Sequence, residues 1–284
     1  MKTIGVIGAG TMGGGIAQLA ALSRFHVILH DVSPPALTAA MQRIRESLQS
    51  AAKKNAVSAT AATEALAAIH PRRSLNDFAD ADIVIEAAPE DLQIKQELFK
   101  RLDTIVGRDT ILASNTSSLS ITAIGAVTRS PESVIGMHFF NPATTMKLVE
   151  IVRGAKSSDR SVAAASALAG KLGKVPVVCR DTPGFIVNRL ARPFYGEALR
   201  LLGDGVATVE EIDRIVSRGG GFRMGPFALM DLIGIDVNYA VTRSVYEQFF
   251  HEPRFRPHPI QRRMVEAGTL GRKTGQGFYR YTQS

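Results

Sequence analysis

Cysteine is almost missing from this 284-residue chain: Cys179 stands alone. A single thiol cannot close an intrachain disulfide, and it excludes a zinc site built on several thiolates. The chain therefore suits a reducing, cytoplasmic setting. Long apolar runs are absent too, and nothing approaches the roughly 18 residues that a membrane span requires. No signal-peptide pattern opens the sequence, because Met1-Lys2 leads directly into a β-like run. A net charge of +8 invites a nucleic-acid reading. The basic residues are spread along the chain, however, and no basic arm, aromatic interleaving or recognition helix accompanies them. Solubility or the binding of a polyanionic small molecule accounts for the same charge.

What is present describes an ordinary globular chain, 45% hydrophobic and 21% charged. Its length suits two domains. Residues 3–7 are short, apolar and β-branched, as expected of a buried parallel strand. The cluster Gly8-Ala9-Gly10-Thr11-Met12-Gly13 follows, then a helix-like run, then a second apolar strand over 26–30 that ends in Asp31. Residues 36–68 are alanine-rich and long enough for a helical hairpin. Further strands are expected over 83–87, 110–113, 134–138, 148–152 and 175–179, with a helix over 92–106. Strands alternating with helices predict a doubly wound parallel sheet. After Asp181-Thr182-Pro183-Gly184 only helical patterns remain. The expected division is therefore 1–183, a Rossmann-like nucleotide-binding domain with a helical-hairpin insertion, and 184–284, an all-α domain.

The glycine cluster has the G-x-G-x-x-G spacing, which is weak by itself and stronger between a strand and a helix. Gly8 permits the tight turn, Gly10 lets backbone approach a pyrophosphate, and Gly13 permits close packing of helix on strand. Thr11 and Met12 lie in the first turn of the helix, whose N–H groups favour an anion. Asp31, about 20 residues on, is placed to accept hydrogen bonds from ribose hydroxyls. Its charge would repel a 2′-phosphate, so the expected cofactor is NAD. Glu86, at another strand end, and Lys95, about two turns beyond, stand where they either meet the cofactor or cap a helix.

Four later segments concentrate polar groups at strand ends. They are Ser114-Asn115-Thr116-Ser117-Ser118, His138-Phe139-Phe140-Asn141-Pro142, Lys147-Leu148-Val149-Glu150-Ile151 and Asp181–Arg189. Glu150 falls within an apolar strand, and a buried acid needs a partner. A helix-capping role competes for Ser118 and Ser120.

The stretches GAGTMGGGIA, ASNTSSLSIT, GMHFFNPATTMKLVEIV, KVPVVCRDTPGFIVNRL, GPFALMDLIGID and GRKTGQGFY together span residues 8 to 279. They resemble the short L-3-hydroxyacyl-coenzyme A dehydrogenases, which include the bacterial 3-hydroxybutyryl-CoA dehydrogenases. The resemblance implies an NAD-dependent oxidoreductase of fatty-acid metabolism (β-oxidation), acting on a coenzyme A thioester. It implies a homodimer formed through the helical domain. By position it makes His138 the base and Glu150 the acid that orients it. Ser117 falls at a contact to substrate and nicotinamide, and Asn188 at a contact to substrate. Asn141, Glu86, Lys95 and Lys273 correspond to cofactor contacts, and Ser47 and Lys54 to coenzyme A contacts. No metal is implied. The competing enzyme class is an NAD-dependent β-hydroxyacid or sugar-acid dehydrogenase of the same two-domain build. A hairpin large enough for coenzyme A argues against it.

Overall fold

In the computed structural model, residues 1–282 are described. The chain divides into two compact units between Thr182 and Pro183. The first is built on an eight-stranded sheet. In chain order its elements are β1 (Thr3–Ile7), α1 (Thr11–Leu22), β2 (His26–His30), α2 (Pro34–Lys53), α3 (Ala59–Ala67), β3 (Ile69–Arg72) and β4 (Ile83–Glu86). There follow α4 (Leu92–Ile105), β5 (Ile111–Ser114), α5 (Ile121–Gly125), β6 (Val134–Phe139), β7 (Leu148–Arg153), α6 (Asp159–Lys171) and β8 (Val175–Arg180).

The strand order is β3-β2-β1-β4-β5-β6-β7-β8. The central strands are apolar on both faces because helices cover both. Ile4, Val6, Leu29, Ile83, Ile85, Ile135 and Val149 form one core with Ile16 and Ala17 of α1. The strand order reverses between β1 and β4, so β1, β2 and β4 end around a common crevice, where open α/β sheets bind ligands.

Two features differ from the expected all-parallel sheet. β7 runs antiparallel to β6, in the register Gly136↔Val152 to Phe139↔Val149. Residues 140–147 join the two strands without a helix, so the chain has no crossover with which to return parallel. In addition, β3 is a strand that residue pattern alone does not reveal. It is four residues long and contains Pro71, which a sheet tolerates at the edge position that β3 occupies. The residue 36–68 hairpin is present as α2 and α3. Ser33 and Ser58 cap these helices by accepting from the Ala36 and Ala61 N–H groups.

The second unit is helical, with α7 (Val187–Gly203), α8 (Val209–Arg214), α9 (Pro226–Ile233), α10 (Ile235–Gln248) and α11 (Pro259–Glu266). Tyr195, Leu199, Phe227, Met230 and Ile235 form its core. Two buried carboxylates fasten the loops. Asp213 accepts from the Phe227 and Ala228 N–H groups, each at 2.9 Å, and from the Tyr279 hydroxyl. Asp231 accepts from the Phe278 and Tyr279 N–H groups and the Tyr281 hydroxyl, all at 2.9 Å. These bonds give the GPFALMDLIGID and GRKTGQGFY segments a structural task. No helix among the described residues is long and apolar enough to cross a membrane.

Candidate active site

The glycine turn opens the site. Gly8 has φ +98°, and a Cβ there would lie 2.4 Å from the Ala87 carbonyl oxygen. A Cβ on Gly13 would lie 1.8 Å from the Gly8 oxygen, so helix and turn sit at backbone contact. Around Gly10 a Cβ would meet nothing within 4 Å, which leaves this backbone open to a ligand. Gly10 stands at the N-cap of helix α1, which has no side-chain cap and no acidic residue in its first turn. Its first N–H groups, including those of Thr11 and Met12, are therefore left for an external acceptor.

Asp31 closes the other side of the turn. Its Oδ2 accepts from the Ala9 N–H at 2.8 Å and its Oδ1 from the Ser33 N–H at 2.9 Å. Each carboxylate oxygen retains a further lone pair for a ribose hydroxyl. An uncapped helix end and a fixed carboxylate at the end of β2 fit a dinucleotide without a 2′-phosphate.

A cleft of about 180 Å³ adjoins this turn and includes Gly10, Thr11, Arg43, Ser47 and Asn141 in its lining. Arg43, which residue pattern did not single out, donates to the Ala9 carbonyl at 2.9 Å and so ties α2 to the glycine turn. Ser47 accepts from the Gln18 side-chain amide at 3.0 Å. Lys54 is exposed at the end of α2, seven residues and hence about two turns beyond Ser47, on the same side of the helix.

Glu86 and Lys95 form a buried ion pair of 2.5 Å, with side chains 0% and 1% exposed. The second Glu86 oxygen accepts from the Ser114 hydroxyl at 2.6 Å, and the first also accepts from the Ala88 N–H. This carboxylate faces inward and is filled by protein donors. The accessible acid at this strand end is Glu90, which residue pattern missed. Its Oε1 accepts from the Thr116 hydroxyl at 2.6 Å, the Ser117 N–H at 2.9 Å and the Ser117 hydroxyl at 3.1 Å. Glu90 lies four residues after Glu86, past the Pro89 turn, where periodicity gives no signal.

His138 and Glu150 are directly opposed across the antiparallel β6–β7 pair. Residues opposed in this way project to the same face, and the His138 Nδ1 lies 2.7 Å from the Glu150 Oε2. The histidine is 6% exposed and the glutamate 1%. A carboxylate can only accept, so a neutral His138 donates from Nδ1 and carries its basic lone pair on Nε2. The Phe140 ring packs 4.4 Å from the imidazole, centre to centre. Asn115 fixes the end of the strand, its side-chain oxygen accepting from the Phe139 N–H at 2.9 Å. Asp181 holds the far end of the serine-rich loop, accepting from the Ser120 hydroxyl and the Ile121 and Thr122 N–H groups.

Cys179, on the neighbouring strand, is no nucleophile. Burial, then the charges of Glu150 and Asp181, push its thiol up to about 12. In the second unit, Asn188 lies in the first turn of α7, half-buried. Lys273 binds Asp236 through both carboxylate oxygens, at 2.6 and 2.7 Å.

A nucleotide turn on a doubly wound sheet, with a buried histidine–carboxylate pair on the same sheet, defines a dinucleotide-dependent dehydrogenase. The NAD-binding domain model of 3-hydroxyacyl-CoA dehydrogenase matches residues 3–182, and the C-terminal domain model of the same enzyme matches residues 184–281. The chain belongs to the 3-hydroxyacyl-CoA dehydrogenase family and is an NAD-dependent oxidoreductase. It is 46% identical to a probable 3-hydroxybutyryl-CoA dehydrogenase of Deinococcus radiodurans over 98% of this chain and 99% of that one. It is 47% identical to the 3-hydroxyadipyl-CoA dehydrogenase of Escherichia coli K12 over 98% of its own length, but spans only 59% of that longer protein. The crystal structure of (S)-3-hydroxybutyryl-CoA dehydrogenase from Ralstonia eutropha superposes with a TM-score of 0.95 at 44% identity, covering 100% of both chains.

Proposed function

We propose that the protein oxidises an L-3-hydroxyacyl-CoA thioester to the 3-oxoacyl-CoA, and catalyses the reverse, with His138 as the base. The buried Nδ1–Oε2 contact of 2.7 Å carries this reading, because it orients one basic nitrogen and supplies the counter-charge for its protonated form. Bound NAD supplies the hydride acceptor. The His138 Nε2 takes the proton from the C3 hydroxyl during oxidation and returns it during reduction. Glu150 holds the Nδ1–H and offsets the imidazolium charge in a site that excludes water. Ser117 and Asn188 position the substrate oxygens, so the chain's part is mainly orientation.

The cofactor residues in this reading are Gly8, Gly10, Thr11, Met12, Gly13, Asp31, Asn141 and Lys273, with Glu86 and Lys95 acting through the shape of the 87–90 turn. Ser47 and Lys54, two turns apart on one side of α2, belong to the coenzyme A phosphates. The protein works in the cytoplasm as a homodimer joined through its helical unit.

Turnover of (S)-3-hydroxybutyryl-CoA with NAD⁺, followed by NADH absorbance and compared with free 3-hydroxybutyrate, tests the proposal. The thioester should be oxidised and the free acid should not. A preference for the free acid would instead make the protein a β-hydroxyacid dehydrogenase.

Asp31 sets a second expected outcome. A 2′-phosphate would meet its carboxylate at contact range, where like charges cost several kcal/mol. kcat/KM for NAD⁺ should exceed that for NADP⁺ by about 100-fold or more, and Asp31→Ser should narrow the gap mainly by improving NADP⁺. Comparable values in the unaltered protein would remove Asp31 from ribose recognition.

A further inference from the structure

The helical unit encloses a cation without an anion. Arg192 of α7 is only 4% exposed. Its Nε donates to the Asn188 carbonyl at 3.2 Å, and its Nη1 to the Asn238 carbonyl and the Thr242 hydroxyl, both at 2.9 Å. The guanidinium carbon stands 5.1 Å from the centre of the Tyr195 ring. Every one of these partners is neutral, and among the described residues no carboxylate faces Arg192. Its Nη2 makes none of these bonds. In the same cluster, the Asn238 amide oxygen accepts from Gln261 at 2.7 Å, which leaves the amide nitrogen, buried, with no partner. The cluster therefore holds a buried positive charge with no negative charge beside it, and one buried amide donor with no acceptor.

A buried guanidinium is a costly way to join two helices, since apolar side chains of similar volume do so without a desolvated charge. Burial lowers its pKa only to about 10, so it stays charged at neutral pH. Arginine presents a planar fork of donors that matches a carboxylate.

We propose that Arg192 is a specificity residue that, with the Asn238 amide, receives the distal carboxylate of a 3-hydroxyacyl thioester whose acyl chain ends in an acid. This deepens the proposed function and rests on its placement of Asn188 against the acyl group near C3. Asn188 and Arg192 lie four residues apart on α7, just over one turn and about 6 Å along the helix axis. In a six-carbon dicarboxylic acyl chain the terminal carboxyl carbon lies about 4 Å beyond C3 when extended. Hydrogen-bond reach supplies the remainder.

The test compares two thioesters of equal length, 3-hydroxyadipyl-CoA and 3-hydroxyhexanoyl-CoA, which differ in a terminal carboxylate against a methyl group. The unaltered protein should favour the former in kcat/KM by about 100-fold, the effect of a charge-assisted hydrogen bond to a desolvated ion. Arg192→Met should remove about that factor for 3-hydroxyadipyl-CoA and leave 3-hydroxyhexanoyl-CoA within about threefold. Arg192→Lys, which keeps the charge but not the fork, should retain part of the preference. An equal or better rate of the unaltered protein with 3-hydroxyhexanoyl-CoA overturns the inference without any variant, so misfolding of Arg192→Met cannot shelter it. An equal fall for both substrates in Arg192→Met also overturns it, making the residue a link between α7 and α10. If the unaltered protein oxidises neither thioester, the proposed function itself fails.

Discussion

Replacing His138 with glutamine should lower kcat for 3-hydroxyacyl-CoA oxidation by about 10²–10⁴-fold, the usual worth of general acid–base catalysis. Glutamine keeps a polar side chain of similar length, so the Glu150 carboxylate still finds a donor and the strand pair stays satisfied. What disappears is the basic nitrogen. NADH binding, followed by fluorescence, should be nearly unchanged, because the glycine turn and Asp31 lie on other strands. The unaltered protein should also show opposite pH trends in the two directions. Oxidation needs the neutral imidazole and should be favoured by higher pH. Ketone reduction needs the imidazolium and should be favoured by lower pH. Glu150→Gln should lower kcat as well, because an amide neither holds the ring in one tautomer as firmly nor offsets its charge. Near-wild-type kcat in His138→Gln would place the base elsewhere and sink the mechanism.

The βαβ start of the fold was legible because three independent signals agree there: β-branched apolar runs, glycine spacing and a terminal acid. The helical unit was legible from its loss of period-two patterning. The direction of β7 was not, since strand periodicity is the same for parallel and antiparallel pairing. Only the short 140–147 connection carries that information. It matters, because the antiparallel register is what sets Glu150 opposite His138. Edge strand β3 escaped because Pro71 reads as a strand breaker unless the edge position is known. Within the site, Glu86 and Glu90 show why type and order alone do not settle a role. Glu86 ends β4 and Glu90 lies four residues beyond it, yet one is enclosed by Lys95 and Ser114 and the other turns outward to Ser117. Arg192 was likewise invisible. A charged residue in an amphipathic helix reads as solvated until burial shows otherwise.

Lys95→Met should be the most destabilising single change among the polar residues described here. The Nζ–Oε1 distance of 2.5 Å and exposures of 1% and 0% mark a pair with no access to water. Removing the ammonium leaves the buried Glu86 carboxyl without its counter-ion, held only by the Ser114 hydroxyl and the Ala88 N–H. Glu90, 3.5 Å from the same ammonium, loses a partner too, but it is 39% exposed and recovers water. Breaking a buried pair from one side costs about 3–5 kcal/mol. For a unit of this size each kcal/mol lowers Tm by roughly 2–4 °C, so the first unit should melt about 6–20 °C lower. The double variant Lys95→Met/Glu86→Gln should regain much of the loss, since it buries no net charge. That recovery separates a missing counter-ion from a simple packing defect, in which the two substitutions would add. A Tm within about 2 °C of wild type in Lys95→Met, or additive losses in the double variant, would mean that the pair is solvated in the working protein and does not hold the 87–90 turn.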